Sequence, residues 1–183
     1  MKLSLARIEP LTESEWTDEQ REVLESRYKE GVVYNVMGTL ARHWEAAKKF
    51  NVWAFHVMGD SQTLAPRERE LLILRIGWLC QAEYEWGQHV LFGRQAGLSD
   101  EEIARIKKGP DDPAWDPFDA SLLRAADELH AEALISDATW AALGERYNTQ
   151  QLMDVVFTVG QYNLVSMALN TFGVQLDKGV KGF

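Results

Sequence analysis

The chain has 183 residues, of which 46% are hydrophobic and 26% charged, and this composition predicts one soluble domain over residues 1–183. Its net charge is −9 and it has no basic run, which argues against nucleic acid as a partner. No uncharged run is apolar enough for a membrane span, and the first ten residues, MKLSLARIEP, lack the apolar core of a signal peptide. Cys80 is the only cysteine, which excludes an intrachain disulfide, so we expect a cytoplasmic protein.

Helix signals begin early in the chain. Thr17 with Gln20 three residues later is a capping box, which predicts a helix over residues 18–29. The next segment, VVYNVMGTLARH, opens with β-branched residues that favour a strand, but residues 36–42 also fit a short helix, which we prefer. Apolar residues then recur at helical spacing over residues 44–57, which predicts a third helix.

The remaining predicted helices begin at a proline or a capping side chain and end near a glycine or a loop. They cover residues 66–81, 82–97, 99–108, 117–134, 137–146 and 149–172. Nothing predicts a hairpin or a βαβ unit, so the expected fold class is all-α. The loop PDDPAWDP at residues 110–117 is a possible boundary, but neither side of it looks self-sufficient.

The densest set of ionisable side chains in an apolar setting lies in the central helix pair, residues 66–97. Glu85 and His89 are four residues apart, so they share one helix face. Reflecting Glu70 across the turn near Gln81 leaves about 6 Å of axial offset from His89. A side chain or one bridging water closes such a gap. We therefore predict a reaction centre at Glu70, Glu85 and His89.

Less specific interpretations of the same residues stay open. A Glu–His pair at this spacing also occurs on solvated helix faces, and Glu70 also fits a buried ion pair with Arg67 or Arg75. Two carboxylates and a histidine are plausible ligands for a divalent ion, but no second histidine is placed near them, so we expect no metal.

Aromatic and amide side chains give weaker signals around this centre. Trp78 and Trp86 flank the central charges, either as core packing or as an aromatic pocket wall that raises the pKa of a nearby carboxylate. The last helix carries polar side chains among apolar ones, which either line a pocket or join subunits. These are Gln161, Tyr162, Asn163 and Asn170.

The run ERELLILRIGWLCQAEYEWGQHVLFGRQAGLSDEEI resembles the signature of the carboxymuconolactone decarboxylase family, which includes the alkylhydroperoxidase D-like proteins. The resemblance is strong over residues 45–110. It implies a multi-helix alkylhydroperoxidase D-like bundle and a homo-oligomer, often a trimer or hexamer, with sites near subunit contacts.

The peroxidase branch of that family carries a glutamate, a C-x-x-C pair and a histidine four residues after the second cysteine. By this resemblance the glutamate is Glu70 and the histidine His89, but Ala82 and Glu85 stand at the two thiol positions. A dithiol mechanism needs two sulfurs within bonding reach, so thiol peroxidase activity is disfavoured.

The decarboxylase branch acts on a lactone of aromatic breakdown without a cofactor. The resemblance therefore implies a cofactor-free lyase or isomerase acting on a small organic acid or lactone. We assign His89 as general acid/base, Glu85 as its partner or a second base, and Glu70 as its orienter, with Tyr84 and Trp86 as substrate-binding residues. The alternative is a non-catalytic oligomeric binding protein of the same fold.

Overall fold

The computed structural model describes residues 3–26 and 33–183, and in that part of the chain regular structure is helical throughout. Short 3₁₀ turns lie at Glu13–Glu15 and Ala41–His43. The α-helices are α1 (Asp18–Ser26), α2 (Asn35–Leu40), α3 (Trp44–Met58), α4 (Pro66–Leu79), α5 (Glu83–Gln95), α6 (Asp100–Ile106), α7 (Pro117–Glu132), α8 (Asp137–Gly144) and α9 (Thr149–Phe172). The all-α prediction is confirmed.

Helix ends follow the capping chemistry of the sequence. The predicted capping box of α1 is present, with the Gln20 side chain accepting from the Thr17 amide at 2.9 Å. The predicted end of this helix at residue 29 lies outside the described residues. The segment VVYNVMGTLARH, which fitted either a strand or a short helix, forms helix α2 within its described part. Helix α7 ends at Glu132, two residues short of the predicted end, and Ala133 caps it in a left-handed conformation.

Helix α4 is the centre of the fold and packs against α5, α7 and α9. It is buried nearly all round, so its arginines need partners. Arg75 donates to the Ile106 carbonyl at 2.8 Å and pairs with Asp127, while Arg67 pairs with Asp119 at 2.7 Å. The predicted pairing of Glu70 with Arg67 or Arg75 is wrong, because both arginines reach across to other helices.

Helix α9 is long and apolar enough to cross a membrane by length and composition alone. It packs against α3, α4, α5, α7 and α8, and buries Val155, Val159 and Leu169. These buried side chains are part of the core, as in a central helix of a globular protein.

Helices α4 and α5 form an αα-hairpin around Gln81, which takes a left-handed φ of 53°. The Ala82 amide donates to the Gly77 carbonyl at 2.9 Å, so the chain reverses within three residues. The tight reversal lays the first turns of α5 against the end of α4. This hairpin positions the candidate site.

Candidate functional site

Two of the predicted site residues are bonded directly across the hairpin. His89 Nδ1 lies 2.8 Å from Glu70 Oε2, and the side chains are only 8% and 1% exposed. The predicted gap of about 6 Å is closed without a bridging water, because the two helices pack tightly along their length. Glu70 also lies near Arg69, whose Nε is 3.6 Å from Oε1.

This bond sets the protonation pattern of the imidazole. A carboxylate only accepts hydrogen bonds, so the Glu70 carboxylate selects the tautomer with a proton on His89 Nδ1. Nε2 then keeps its lone pair, and no side chain in the described ranges is bonded to it. The pair therefore presents a basic nitrogen held in a fixed orientation.

Glu85 is buried beside this pair but bonded elsewhere. Its Oε2 accepts from the Ser166 hydroxyl of α9 at 2.9 Å, and its Oε1 has no hydrogen-bond partner among the described residues. Burial raises the pKa of Glu85 well above its ordinary range, and nearby Glu70 adds to the rise, while the Ser166 hydrogen bond opposes it. Burial thus favours the protonated form of Glu85.

The predicted partnership of Glu85 with His89 needs correction. Helical spacing does place both on one face, but the hydrogen-bond partner of His89 is Glu70, and that of Glu85 is Ser166. Sharing a face does not decide which neighbouring helix each side chain reaches. Ser166, on the apolar α9, gave no signal in the sequence beyond being a polar residue in an apolar run.

A cavity of about 350 Å³ opens beside these groups between α2, α3, α5 and α9. His89 and Glu85 both line it, whereas Glu70 lies behind His89 and is not among its lining residues. Most of the wall is apolar. The apolar lining includes Met37, Leu40, Phe50, Ala54, Phe92 and Val165.

The amide-bearing last helix contributes to the same cavity. Gln161 and Tyr162 line it, and the Tyr162 ring meets His89 edge-on with centroids 4.7 Å apart. Asn163 and Asn170 lie elsewhere, bonded to Cys80. Of the two alternatives for these polar residues, the pocket lining therefore applies to Gln161 and Tyr162.

The two predicted substrate-binding residues are separated by the structure. Tyr84 lines the cavity, but its hydroxyl donates to Asp177 and accepts from the Val36 amide at 3.3 Å. Trp86 does not line the cavity. It packs against Trp78 and Phe183, with centroids 5.8 and 5.7 Å away.

A metal centre finds no support in the described part of the chain. No three side chains of the types that bind metals are grouped there so that they could hold an ion. The His89 and Glu85 groups are instead bonded within the protein.

Comparison with known proteins relates this site to a family. The model of the carboxymuconolactone decarboxylase family matches residues 43–128, which include α3 to α6, most of α7 and all three central ionisable residues. Over these residues the chain is similar to the carboxymuconolactone decarboxylase family. No curated protein shows significant similarity to it.

Solved structures share the fold of this chain at low sequence identity. An uncharacterised peroxidase-related protein of Ralstonia eutropha, with an alkylhydroperoxidase core, is 20% identical, with a TM-score of 0.80 and 93% of each chain covered. A peroxidase-related protein of Silicibacter is also 20% identical, with a TM-score of 0.80, covering 97% of this chain and 92% of that one. A debrominase in complex with 2,3,4-tribromopyrrole is 12% identical, with a TM-score of 0.74, covering 96% and 94%.

The one thiol of this chain lies next to the site without the properties of a nucleophile. Burial, with a smaller contribution from Glu85, raises the pKa of Cys80 to about 11. Its Sγ donates to Asn163 Oδ1 at 3.1 Å. At neutral pH the side chain is therefore a neutral thiol, and the nucleophilic form is the thiolate.

Proposed function

We propose that the protein is a cofactor-free lyase or isomerase acting on a small organic acid or lactone by proton transfer. The observation that carries this proposal is the 2.8 Å bond between Glu70 and His89, a residue that lines an apolar cavity. A buried base of fixed orientation facing a space for a small molecule is the arrangement that general acid–base catalysis requires.

The roles follow from the protonation states. His89 Nε2 takes a proton from a carbon next to a carbonyl group, and the C–H electron pair moves toward the carbonyl oxygen. The protonated Glu85 stabilises that oxygen by donating a hydrogen bond. In an isomerase, His89 returns the proton to a different carbon. In a lyase no C–H proton is removed: the C–C bond to a carboxylate group breaks, carbon dioxide departs, and the electron pair left on carbon takes a proton from the protonated imidazole of His89.

Glu70 acts through His89 and not on the substrate. It fixes the imidazole tautomer and stabilises the imidazolium that forms when Nε2 is protonated. Its burial on α4, behind the cavity wall, suits this positioning role.

The alternative is a non-catalytic oligomeric binding protein, and one observation supports the assembly that it shares with the enzyme. Apolar side chains are exposed on α9 and α5, with Leu164 and Met167 more than half exposed and Leu91 43% exposed. Such side chains are typical of surfaces that other chains cover, and we propose a homo-oligomer, a trimer or hexamer, on this basis. A mass near 20.8 kDa by light scattering at low micromolar concentration would refute the assembly.

Deuterium incorporation distinguishes the enzyme from the binding protein. Acetophenone and γ-butyrolactone are incubated with the wild-type protein and with His89→Ala in deuterium oxide, and loss of the α-proton signals is followed by NMR. The proposal expects incorporation that His89→Ala slows by about 10²–10⁴-fold, the usual contribution of a general base. Equal rates in the two proteins would contradict it.

A further inference from the structure

The cavity is surrounded by carboxyl groups and offers no cation. No lysine or arginine is among its described lining residues. Glu85 lines it, Glu70 lies behind His89, and Asp177 accepts from the lining residues Tyr84 and Gln88. Arg69, which is not a lining residue, lies 3.6 Å from Glu70.

These surroundings oppose a negatively charged ligand. A carboxylate that enters an apolar cavity loses its hydration, and binding is favourable only if a cation or several donors replace the water. Here the acidic side chains of Glu70 and Asp177, which lie behind the lining residues His89 and Gln88, carry the same sign as the ligand. The protein as a whole has a net charge of −9. The loss of hydration and the like-sign charges both weaken the binding of an anion.

The cavity does offer neutral hydrogen-bond donors. Gln161 and Tyr162 are 5% and 7% exposed and line it, and neither side chain is bonded to any residue in the described ranges. Burial raises the pKa of the Tyr162 hydroxyl well above its ordinary range, so this group remains a donor. An amide and a phenol match a carbonyl oxygen without adding charge.

We infer that the substrate is an uncharged carbonyl compound, a ketone or lactone and not a carboxylate, whose oxygen accepts a hydrogen bond from Tyr162. The inference rests on the proposed function in taking this cavity as the substrate site. It narrows that function to an isomerase of a ketone or lactone, because release of carbon dioxide would need a carboxylate in the substrate. The Tyr162 ring lies against His89, with centroids 4.7 Å apart, so both side chains belong to the same wall of the cavity.

A matched pair of ligands tests the charge preference. Acetophenone and benzoate have nearly the same shape, with a methyl group in one replaced by a charged oxygen in the other. Calorimetric titration at neutral pH should give a Kd for acetophenone at least about 10-fold lower than that for benzoate. Equal or tighter binding of benzoate, or no binding of acetophenone at millimolar concentration, would overturn the inference.

Two variants test where acetophenone binds and which side chain donates a hydrogen bond to it. Ala54→Trp puts a large ring into the cavity wall and should abolish acetophenone binding, with the fold checked by circular dichroism. Tyr162→Phe keeps the ring against His89 and removes only the hydroxyl. It should weaken acetophenone binding about fivefold and leave ethylbenzene, which has no oxygen, unchanged. An unchanged acetophenone affinity in either variant would overturn the inference.

The inference and the proposed function fail separately. His89→Ala should retain the preference for acetophenone over benzoate, because binding does not need the base. If wild-type protein shows this preference but incorporates no deuterium, the proposed function fails and the ligand class stands.

Discussion

His89 Nδ1 lies 2.8 Å from Glu70 Oε2, so the two central helices are joined beside the cavity by an acid–base pair of buried side chains. Glutamine at position 70 keeps the shape of the side chain but presents either an oxygen or an NH₂ group to Nδ1. Glu70→Gln should therefore weaken the preference for the Nδ1–H tautomer. The ¹⁵N chemical shifts of His89 measure this, and identical shifts in variant and wild type would contradict the assigned pair.

The raised pKa of Glu85 predicts a pH trend in stability. The folded chain keeps a proton that the unfolded chain releases above about pH 4.5, so wild-type stability falls as pH rises from there toward the folded-state pKa. Glu85→Gln has no such proton and keeps an oxygen for the Ser166 hydroxyl. Its free energy of unfolding relative to wild type should rise by up to about 1.4 kcal/mol per pH unit.

Urea unfolding of both proteins from about pH 5 to about pH 8 measures this difference. A difference that stays constant across the range would mean that Glu85 is ionised in the folded state, and would remove it as the acid of the mechanism.

Gly77 makes room for the Glu85 carboxyl. A Cβ atom at residue 77 would lie 2.8 Å from Glu85 Oε1, which is closer than real Cβ contacts. Gly77→Ala should therefore displace the Glu85 carboxyl and slow deuterium incorporation, measured by the same NMR assay. An unchanged rate would show that the position of this carboxyl does not matter.

Gly160→Ala is the matched control for that variant. Gly160 also lies inside a helix, but nothing lies within 4 Å of the position that a Cβ atom would take there. The Gly160→Ala protein should gain up to about 1 kcal/mol of stability, the ordinary difference between glycine and alanine in a helix. Its rate of deuterium incorporation should equal that of wild type.

Cys80 should be dispensable. With a pKa of about 11, its thiol is protonated at neutral pH, and its alkylation by iodoacetamide should be slow and accelerate as pH rises toward that value. Cys80→Ser should leave deuterium incorporation nearly intact, and neither protein should reduce hydroperoxides with a dithiol. A large loss in Cys80→Ser with the fold preserved would make Cys80 a nucleophile.

Much of the fold could be predicted from local sequence. The capping pair Ser99 and Glu102 and the stop at Gly173 mark helix ends through hydrogen bonds within a few residues, and the structure shows both. The left-handed end of α7 at Ala133 was not predicted, because alanine seldom adopts that conformation.

The site was predictable only in part, for a physical reason. Glu70, Glu85 and His89 stand out because charges in apolar helices need partners, but the choice of partner depends on packing between helices. The sequence placed Glu70 within reach of His89, and the structure shows that bond. Spacing along α5 also suggested Glu85 as a partner of His89 or a second base, whereas its carboxyl is bonded to Ser166, 81 residues away. Tyr162 as an unbonded donor at the cavity could be recognised only once α9 was placed.

The central claim is that Glu70 acts through His89, so that the two residues transfer a proton as one unit. A double-mutant cycle on the rate of deuterium incorporation into acetophenone tests this claim most directly. Wild type, Glu70→Gln, His89→Ala and the double variant are compared at equal fold by circular dichroism. We predict that His89→Ala slows exchange by about 10²–10⁴-fold, that Glu70→Gln costs less, and that the double variant is no slower than His89→Ala alone. Independent, multiplying losses, or the same rate in all four proteins, would contradict the account.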